Sequence, residues 1–202
     1  GQISPDFDWR EYDPVVASGE QVTAGLMALA LQACGLRSQS FAGWQVPIRT
    51  NAAHGKARID SIESGPLLAL MADGVIPVVG GFQGVTADGR ITTLGRGGAD
   101  TSAVALAAAL KADRCDIYTD VDGVYTTDPR LTDRARRLHC VTFEEMFELA
   151  SLGAKVLQTR SVEMAMRYRV PVQVLSTFDT PIGSDLPGTL LTDDEGRSEE
   201  RR

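Results

Sequence analysis

Gly95-Arg96-Gly97-Gly98-Ala99-Asp100-Thr101-Ser102 is the segment of this chain whose residue types are best suited to chemistry. Its three glycines let backbone approach a ligand closely and adopt positive φ. An alanine-rich helical pattern, Ala103 to Leu110, follows at once. Free N–H groups at a helix start point outward and favour an anion. Arg96 adds a planar fork of donors suited to a carboxylate or a phosphate. Asp100 admits two readings. It is one of the best residue types for an N-cap, and it is equally a carboxylate that could hold a ligand ammonium or orient a lysine. The segment is neither G-x-x-x-x-G-K-[ST] nor G-x-G-x-x-G, so no standard motif names its anion.

A second polar stretch, Tyr118-Thr-Asp-Val-Asp-Gly-Val-Tyr-Thr-Thr-Asp-Pro-Arg130, leaves a strand and enters a turn. Asp120-x-Asp122-Gly123 matches the start of a calcium loop, but Val124 and Leu131 stand where oxygen ligands are required. An Asp-Gly turn and a nucleotide loop, with Thr119 and Asp120 as polar contacts and Tyr125 as an aromatic wall, are both compatible with it. Glu20 follows Ser18 in a Ser-x-x-Gln pattern, which reads as a capping box with an acid in the first turn. Lys155 stands alone between apolar residues in Gly153-Ala-Lys-Val-Leu157, where a snorkelling surface lysine is the ordinary reading. His54 and His139 lack metal-like partners in sequence and are assigned to structure, which argues against zinc and serine-nucleophile chemistry.

The elements that must position these residues alternate in type. Short β-branched runs at 14–17, 38–42, 57–62 and 75–79 alternate with helical patterns at 20–34 and 66–72. Val75 to Val79 is wholly apolar between glycines and reads as a buried strand. Gln83 to Val85 and Ile91 to Thr93 form a hairpin with Gly89-Arg90 at its tip. A helix over 101–111, a strand over 116–119, a loop through Arg130, helices over 143–151 and 157–168 and a strand over 170–175 complete the order. Thr142-x-x-Glu145 is a second capping-box pattern. This alternation predicts an α/β domain with a largely parallel sheet.

Composition bounds the function. The 202 residues suit one domain or slightly more, and 43% hydrophobic with 23% charged residues is ordinary for a globular protein. A net charge of −7 gives no global field for nucleic acid or anionic membrane, so neither partner is expected. The longest near-apolar run, Ala103 to Leu110, is far shorter than the ~20 residues of a membrane span. Cys34, Cys115 and Cys140 lie far apart in apolar surroundings, which predicts buried free thiols, and the polar N-terminus has no signal-peptide pattern. A cytoplasmic location is the expectation.

Six segments, in order, resemble the aspartate kinases of the amino acid kinase family: SGEQ, HGKARI, GFQGVTADGRITTLGRGGADTSAVALAAAL, DIYTDVDGVYTTDPR, FEEMFELASLGAKVL, and VPVQVLS with PGTLL behind it. The resemblance spans Ser18 to Leu191. It implies the carbamate kinase-like fold, a three-layer sandwich around a largely parallel central sheet. It also implies transfer of the ATP γ-phosphoryl group to the side-chain carboxylate of L-aspartate, giving 4-phospho-L-aspartate, with Mg²⁺ accompanying ATP and no protein metal site. That reaction is the first step toward lysine, threonine and methionine. By the same resemblance Arg96 would grip the α-carboxylate of aspartate and Glu20 its α-ammonium. Gly97, Gly98, Ala99 and Phe82 would complete the pocket, and Asp100 would organise the polar centre. Tyr118, Thr119, Asp120, Val124, Tyr125, Thr126, Thr127, Asp128, Pro129 and Arg130 would surround the nucleotide, and Lys155 would reach its phosphates.

The family also carries an N-terminal Lys-(Phe/Tyr)-Gly-Gly-Thr-Ser motif and C-terminal ACT domains, neither of which is found in this sequence. The expected organisation is therefore an incomplete kinase domain over 1–191 and a charged, disordered tail over 192–202. This chain by itself is expected to be impaired, and the full-length protein to be a homo-oligomer. A related kinase with another acceptor, or a non-catalytic regulatory subunit, are the alternative functions.

Overall fold

The computed structural model describes residues 6–154, 156–178 and 188–193. Two compact units divide the chain, Gly1–Leu110 and Lys111–Arg202. The expected tail lies outside the described residues, apart from Thr192 and Asp193.

The first unit opens on α1 (Trp9–Ala33), capped by Asp8, whose carboxylate accepts from the Arg10 N–H at 2.9 Å. The expected strand at 14–17 and helix start at Ser18 are instead one continuous helix. Pro14 is tolerated inside it because the Arg10 carbonyl, which would have bonded an N–H at position 14, accepts from Arg90 Nη2 at 3.3 Å. Ser18 is not a cap: its hydroxyl donates to the Val15 carbonyl at 2.6 Å, and Glu20 lies in mid-helix. The face that α1 buries carries Asp13, Ala17, Ala24 and Ala28, while Val15, Val22, Leu26 and Leu29 remain 62–68% exposed. By length and composition alone α1 is sufficient to cross a membrane, a longer apolar stretch than the run at 103–110. The buried face nevertheless packs on strands of its own unit.

β1 (Ser38–Phe41) pairs parallel with β4 (Ile76–Val79), which is only partly buried and leaves Ile76 39% exposed. The expectation of a fully buried strand fails because this sheet has two strands, so β4 has one paired edge. A four-stranded sheet has the order β3 (Ile59–Ile62), β2 (Ile48–Thr50), β5 (Gln83–Val85) and β6 (Ile91–Thr93). β5 and β6 form the expected antiparallel hairpin, with Gly89 at φ 84° in its turn. α2 (Gly65–Ala72) packs near β4, and α3 (Gly98–Leu110) packs near β3 and β5. α3 starts at Gly98 rather than Thr101, which makes Asp100 its third residue and removes the N-cap reading.

In the second unit β7 (Cys115–Thr119) pairs parallel with the fully buried β9 (Val172–Ser176). β10 (Thr189–Leu191) joins β9 antiparallel and β8 (Cys140–Val141) parallel, giving the order β7-β9-β10-β8. α4 (Phe143–Ser151) begins with the expected capping box: Glu145 N–H donates to Thr142 Oγ1 at 3.2 Å and Thr142 N–H to Glu145 Oε2 at 2.9 Å. α5 (Thr159–Tyr168) ends at Arg169, whose φ is 53°. Parallel pairs combined with helices bear out the α/β class. The three cysteines are free, but Cys34 at the end of α1 is exposed rather than buried.

Candidate functional site

In the first unit the turn Leu94 to Gly98 connects β6 to α3. Gly95 and Gly97 have φ of 76° and 69°, where an L-residue with a side chain is strained. A Cβ on Gly95 would lie 2.8 Å from the Gly55 carbonyl oxygen, so the turn also needs the missing side chain for space. Gly98 has the same requirement, with a Cβ falling 2.8 Å from Leu94 Cβ and 2.9 Å from Phe82 Cδ2. The turn closes through Gly98 N–H to the Gly95 carbonyl at 3.0 Å, while Thr101 N–H and Oγ1 donate to the Gly97 carbonyl at 3.1 and 2.9 Å.

Phe82 is held against this turn in an unusual backbone conformation, φ 66°. Its N–H donates to Ser102 Oγ at 3.1 Å, its carbonyl accepts from Leu94 N–H at 2.9 Å, and Ser102 Oγ donates to the Ala99 carbonyl at 2.8 Å. Strain of this kind persists only where the surroundings over-determine it. Phe82, Gly97, Gly98, Ala99 and Asp100 are thus assembled around the N-terminus of α3.

Among the described residues, nothing pairs with the charges at this turn. Arg96 is exposed, and among the described residues its guanidinium makes no hydrogen bond or ion pair. Asp100 is half-buried and likewise without a partner among them, and burial raises its carboxyl above the usual range. Glu20 lies on α1, next to Gln21, whose Nε2 donates to Gln83 Oε1 at 3.2 Å. Gln83 is fully buried, and its Nε2 lies 3.5 Å from the Ala17 carbonyl, so this glutamine couples α1 to the strand that follows Phe82.

The second unit presents a different loop. Tyr118 points outward from β7 at 41% exposure, and Thr119 Oγ1 donates to Asp120 Oδ1 at 3.2 Å. Val124 is fully buried, its N–H donating to Thr189 Oγ1 at 2.8 Å and its carbonyl accepting from Leu138 N–H at 2.8 Å. That placement makes it an anchor of the loop. Asp122 accepts from Tyr125 OH at 3.0 Å and Arg137 Nη1 at 2.9 Å. Burial, then the hydrogen bond to Asp122, raises the Tyr125 hydroxyl above its usual pKa. Thr126 pairs with Arg136 in both directions, at 2.9 and 3.1 Å. Asp128 accepts from the Arg130 N–H at 2.9 Å and binds its guanidinium through two bonds of 3.0 and 2.7 Å, which raises the arginine further. Thr127 and Pro129 are exposed along the same loop. Lys155 lies outside the described residues.

Sequence reasoning passed over Asp13, Thr93, Ser102 and Gln83, which hold this turn and its surroundings, and assigned His54 to structure without its partner. Asp13 and Thr93 lie 80 positions apart, so no local pattern could pair them. Phe82 followed by Gln83 offered no signal for a strained backbone or for a buried amide.

A family model described as the amino acid kinase family matches residues 2–176. An aspartate kinase of Pseudomonas putida is 56% identical over 192 residues, covering 95% of this chain and 46% of that protein. The chain thus spans about half the length of the curated relatives it matches. The structure resembles that of E. coli aspartokinase III in complex with aspartate and ADP, with a TM-score of 0.83 and 37% identity over 93% of this chain and 42% of the other. It also resembles aspartate kinase from Synechocystis, with a TM-score of 0.78 and 48% identity over 95% of this chain and 31% of that one.

Proposed function

Because the chain belongs to the amino acid kinase family, we propose that it is the greater part of the kinase domain of an aspartate kinase, over residues 1–191. The full-length protein transfers the γ-phosphoryl group of ATP to the side-chain carboxylate of L-aspartate, the first step toward lysine, threonine and methionine. The observation that carries this reading is the pair of charges, Arg96 and Asp100, without partners among the described residues and set about a turn with no room for a Cβ at Gly95 or Gly98. Relatives and solved structures named aspartate kinase support the acceptor.

The chemistry asks little of the protein in covalent terms. A side-chain carboxylate is already ionised at neutral pH, with a usual pKa of about 3.9. No general base is needed. Phosphoryl transfer then depends on in-line positioning and on positive charge against the phosphates. Arg96 fits the α-carboxylate as a two-pronged donor, Glu20 supplies the opposite charge for the α-ammonium, and Asp100 organises the polar centre. Gly97, Gly98, Ala99 and Phe82 shape the pocket. Tyr118, Thr119, Asp120 and the loop through Arg130 take the nucleotide, and Lys155 its phosphates.

Mg²⁺ accompanies the nucleotide in this reading. Among the described residues no group of three or more His, Cys, Asp or Glu side chains converges on a metal-sized site. The ion's ligands in this reading would be chiefly phosphate oxygens and water. Free thiols suit a reducing cytoplasm, and we place the protein there as a homo-oligomer.

The test is acyl phosphate formation, trapped as the hydroxamate, by the full-length protein carrying this chain. ATP-dependent hydroxamate with L-aspartate is expected, and no ATP-dependent ADP release with UMP, carbamate or acetylglutamate. Turnover of another acceptor with none on aspartate would overturn the assignment.

A further inference from the structure

Asp13 is the one fully buried charged side chain among the described residues. Four donors surround it. Its Oδ2 accepts from His54 Nδ1 at 2.8 Å and from Thr93 N–H at 3.1 Å, its Oδ1 accepts from Thr93 Oγ1 at 2.6 Å, and Gly55 N–H reaches both oxygens at 3.1 Å. An ionised carboxylate only accepts, so His54 carries its proton on Nδ1. A buried charge is tolerable when hydrogen bonds satisfy it this completely. Removing it would leave these four donors unmatched, the two of Thr93 in a buried position.

The three segments joined by this carboxylate are α1, the turn around Gly55 and the last residue of β6. Thr93 leads directly into Leu94-Gly95-Arg96, and each residue of that approach is fixed. Thr93 is held by Asp13, and its carbonyl accepts from Ala57 N–H at 2.9 Å. Leu94 N–H donates to the Phe82 carbonyl at 2.9 Å, and Gly95 lies against the Gly55 carbonyl so closely that no Cβ fits. The Trp9 ring, from the same helix as Asp13, covers Gly55 and excludes a Cβ there as well. Arg96 is the next residue along the chain, and its backbone inherits this placement.

Glu20 lies seven positions after Asp13 on the same helix. Seven residues are close to two turns, about 10 Å along the axis, so both project from nearly the same face. One buried carboxylate thus ties the helix bearing Glu20 to the turn bearing Arg96. We propose that Asp13, acting through Thr93 and the His54–Gly55 turn, is a positioning residue that sets Arg96 relative to Glu20 and so governs amino-acid affinity, with little influence on the nucleotide. This inference rests on the reading of Arg96 as the α-carboxylate ligand.

The experiment measures KM for aspartate and for ATP in the full-length protein. Its variants are Asp13→Asn, Thr93→Val, Thr93→Ser and Arg96→Ala, each checked by thermal melting. Asp13→Asn is expected to raise the aspartate KM about tenfold and leave the ATP KM within about twofold. Thr93→Val is expected to raise the aspartate KM about threefold, and Thr93→Ser, which keeps the hydroxyl, to restore it. A folded Thr93→Val with normal aspartate KM, or an equal rise for both substrates, overturns the proposal. The threonine variants decide the matter even where Asp13→Asn fails to fold. A rise for Arg96→Ala without one for Thr93→Val removes this inference alone. An unchanged aspartate KM in Arg96→Ala removes the pocket reading beneath it.

Discussion

The glycine turn of the first unit and the 118–130 loop of the second both carry charged side chains, yet they treat charge in opposite ways. At the turn, Arg96 and Asp100 have no partner among the described residues, and the backbone around them is fixed by bonds that do not involve either side chain. In the loop, Asp122 is joined to Tyr125 and Arg137, and Asp128 to Arg130. The loop uses its charges to hold its own shape, whereas no described residue takes up the charges of the turn. Spare charge on a rigid backbone suits a small zwitterion. A self-paired loop suits a larger ligand held by shape and by its remaining contacts, such as Tyr118 and Thr119.

That contrast can be broken at its rigid side first. Gly98→Ala puts a Cβ 2.8 Å from Leu94 Cβ and 2.9 Å from Phe82 Cδ2. Overpacking of this kind costs about 1–3 kcal/mol, so a marked fall in melting temperature and loss of aspartate affinity are expected. Gly89→Ala serves as the control, since its Cβ meets nothing within 4 Å and only its φ of 84° opposes the change. In the loop, Asp122→Ala separates Tyr125 from Arg137. The group is partly solvated, so a loss of about 1 kcal/mol is expected, read by urea unfolding, together with a weaker ATP affinity.

Asp100→Asn sharpens the comparison through pH. Burial raises the Asp100 carboxyl above the ordinary aspartate value of 3.8, so its ionised form destabilises the folded state. The penalty is absent below that unfolded value and is fully present once pH has passed above the folded one. The variant should therefore melt higher than the parent at pH 7 and equally at pH 3. A variant that melts lower at pH 7 would show that Asp100 is paired after all. The smallest effect is expected from Arg130→Ala. Its own side chain is at the surface, so the melting temperature should hardly move, and a nucleotide role would show only as a few-fold rise in ATP KM.

Features set by neighbouring residues were legible before the structure. The Thr142 capping box, the β5–β6 hairpin and α4 need only local spacing. Local patterns misled where a stronger distant fact intervened. Ser18-x-x-Gln21 looks like a helix start, but Asp8 had already capped α1 and Arg90 had satisfied the carbonyl freed by Pro14. β2, β8 and β10 are two or three residues long and owe their existence to partners elsewhere in the chain. Arg96, Asp100 and the glycines were visible as candidate chemistry. Their scaffold through Asp13 and Ser102 was not, because its bonds reach across the sequence.

The central claim is that Arg96 belongs to the amino acid and not to the nucleotide. Titration calorimetry of the full-length protein and of Arg96→Ala, with aspartate and with ATP in separate runs, tests it directly. Loss of one charge-assisted contact worth roughly 1.5–3 kcal/mol weakens aspartate binding by about 10- to 150-fold, with ATP binding within about twofold of the parent. Unchanged aspartate affinity, or an equal loss for ATP, would contradict the account.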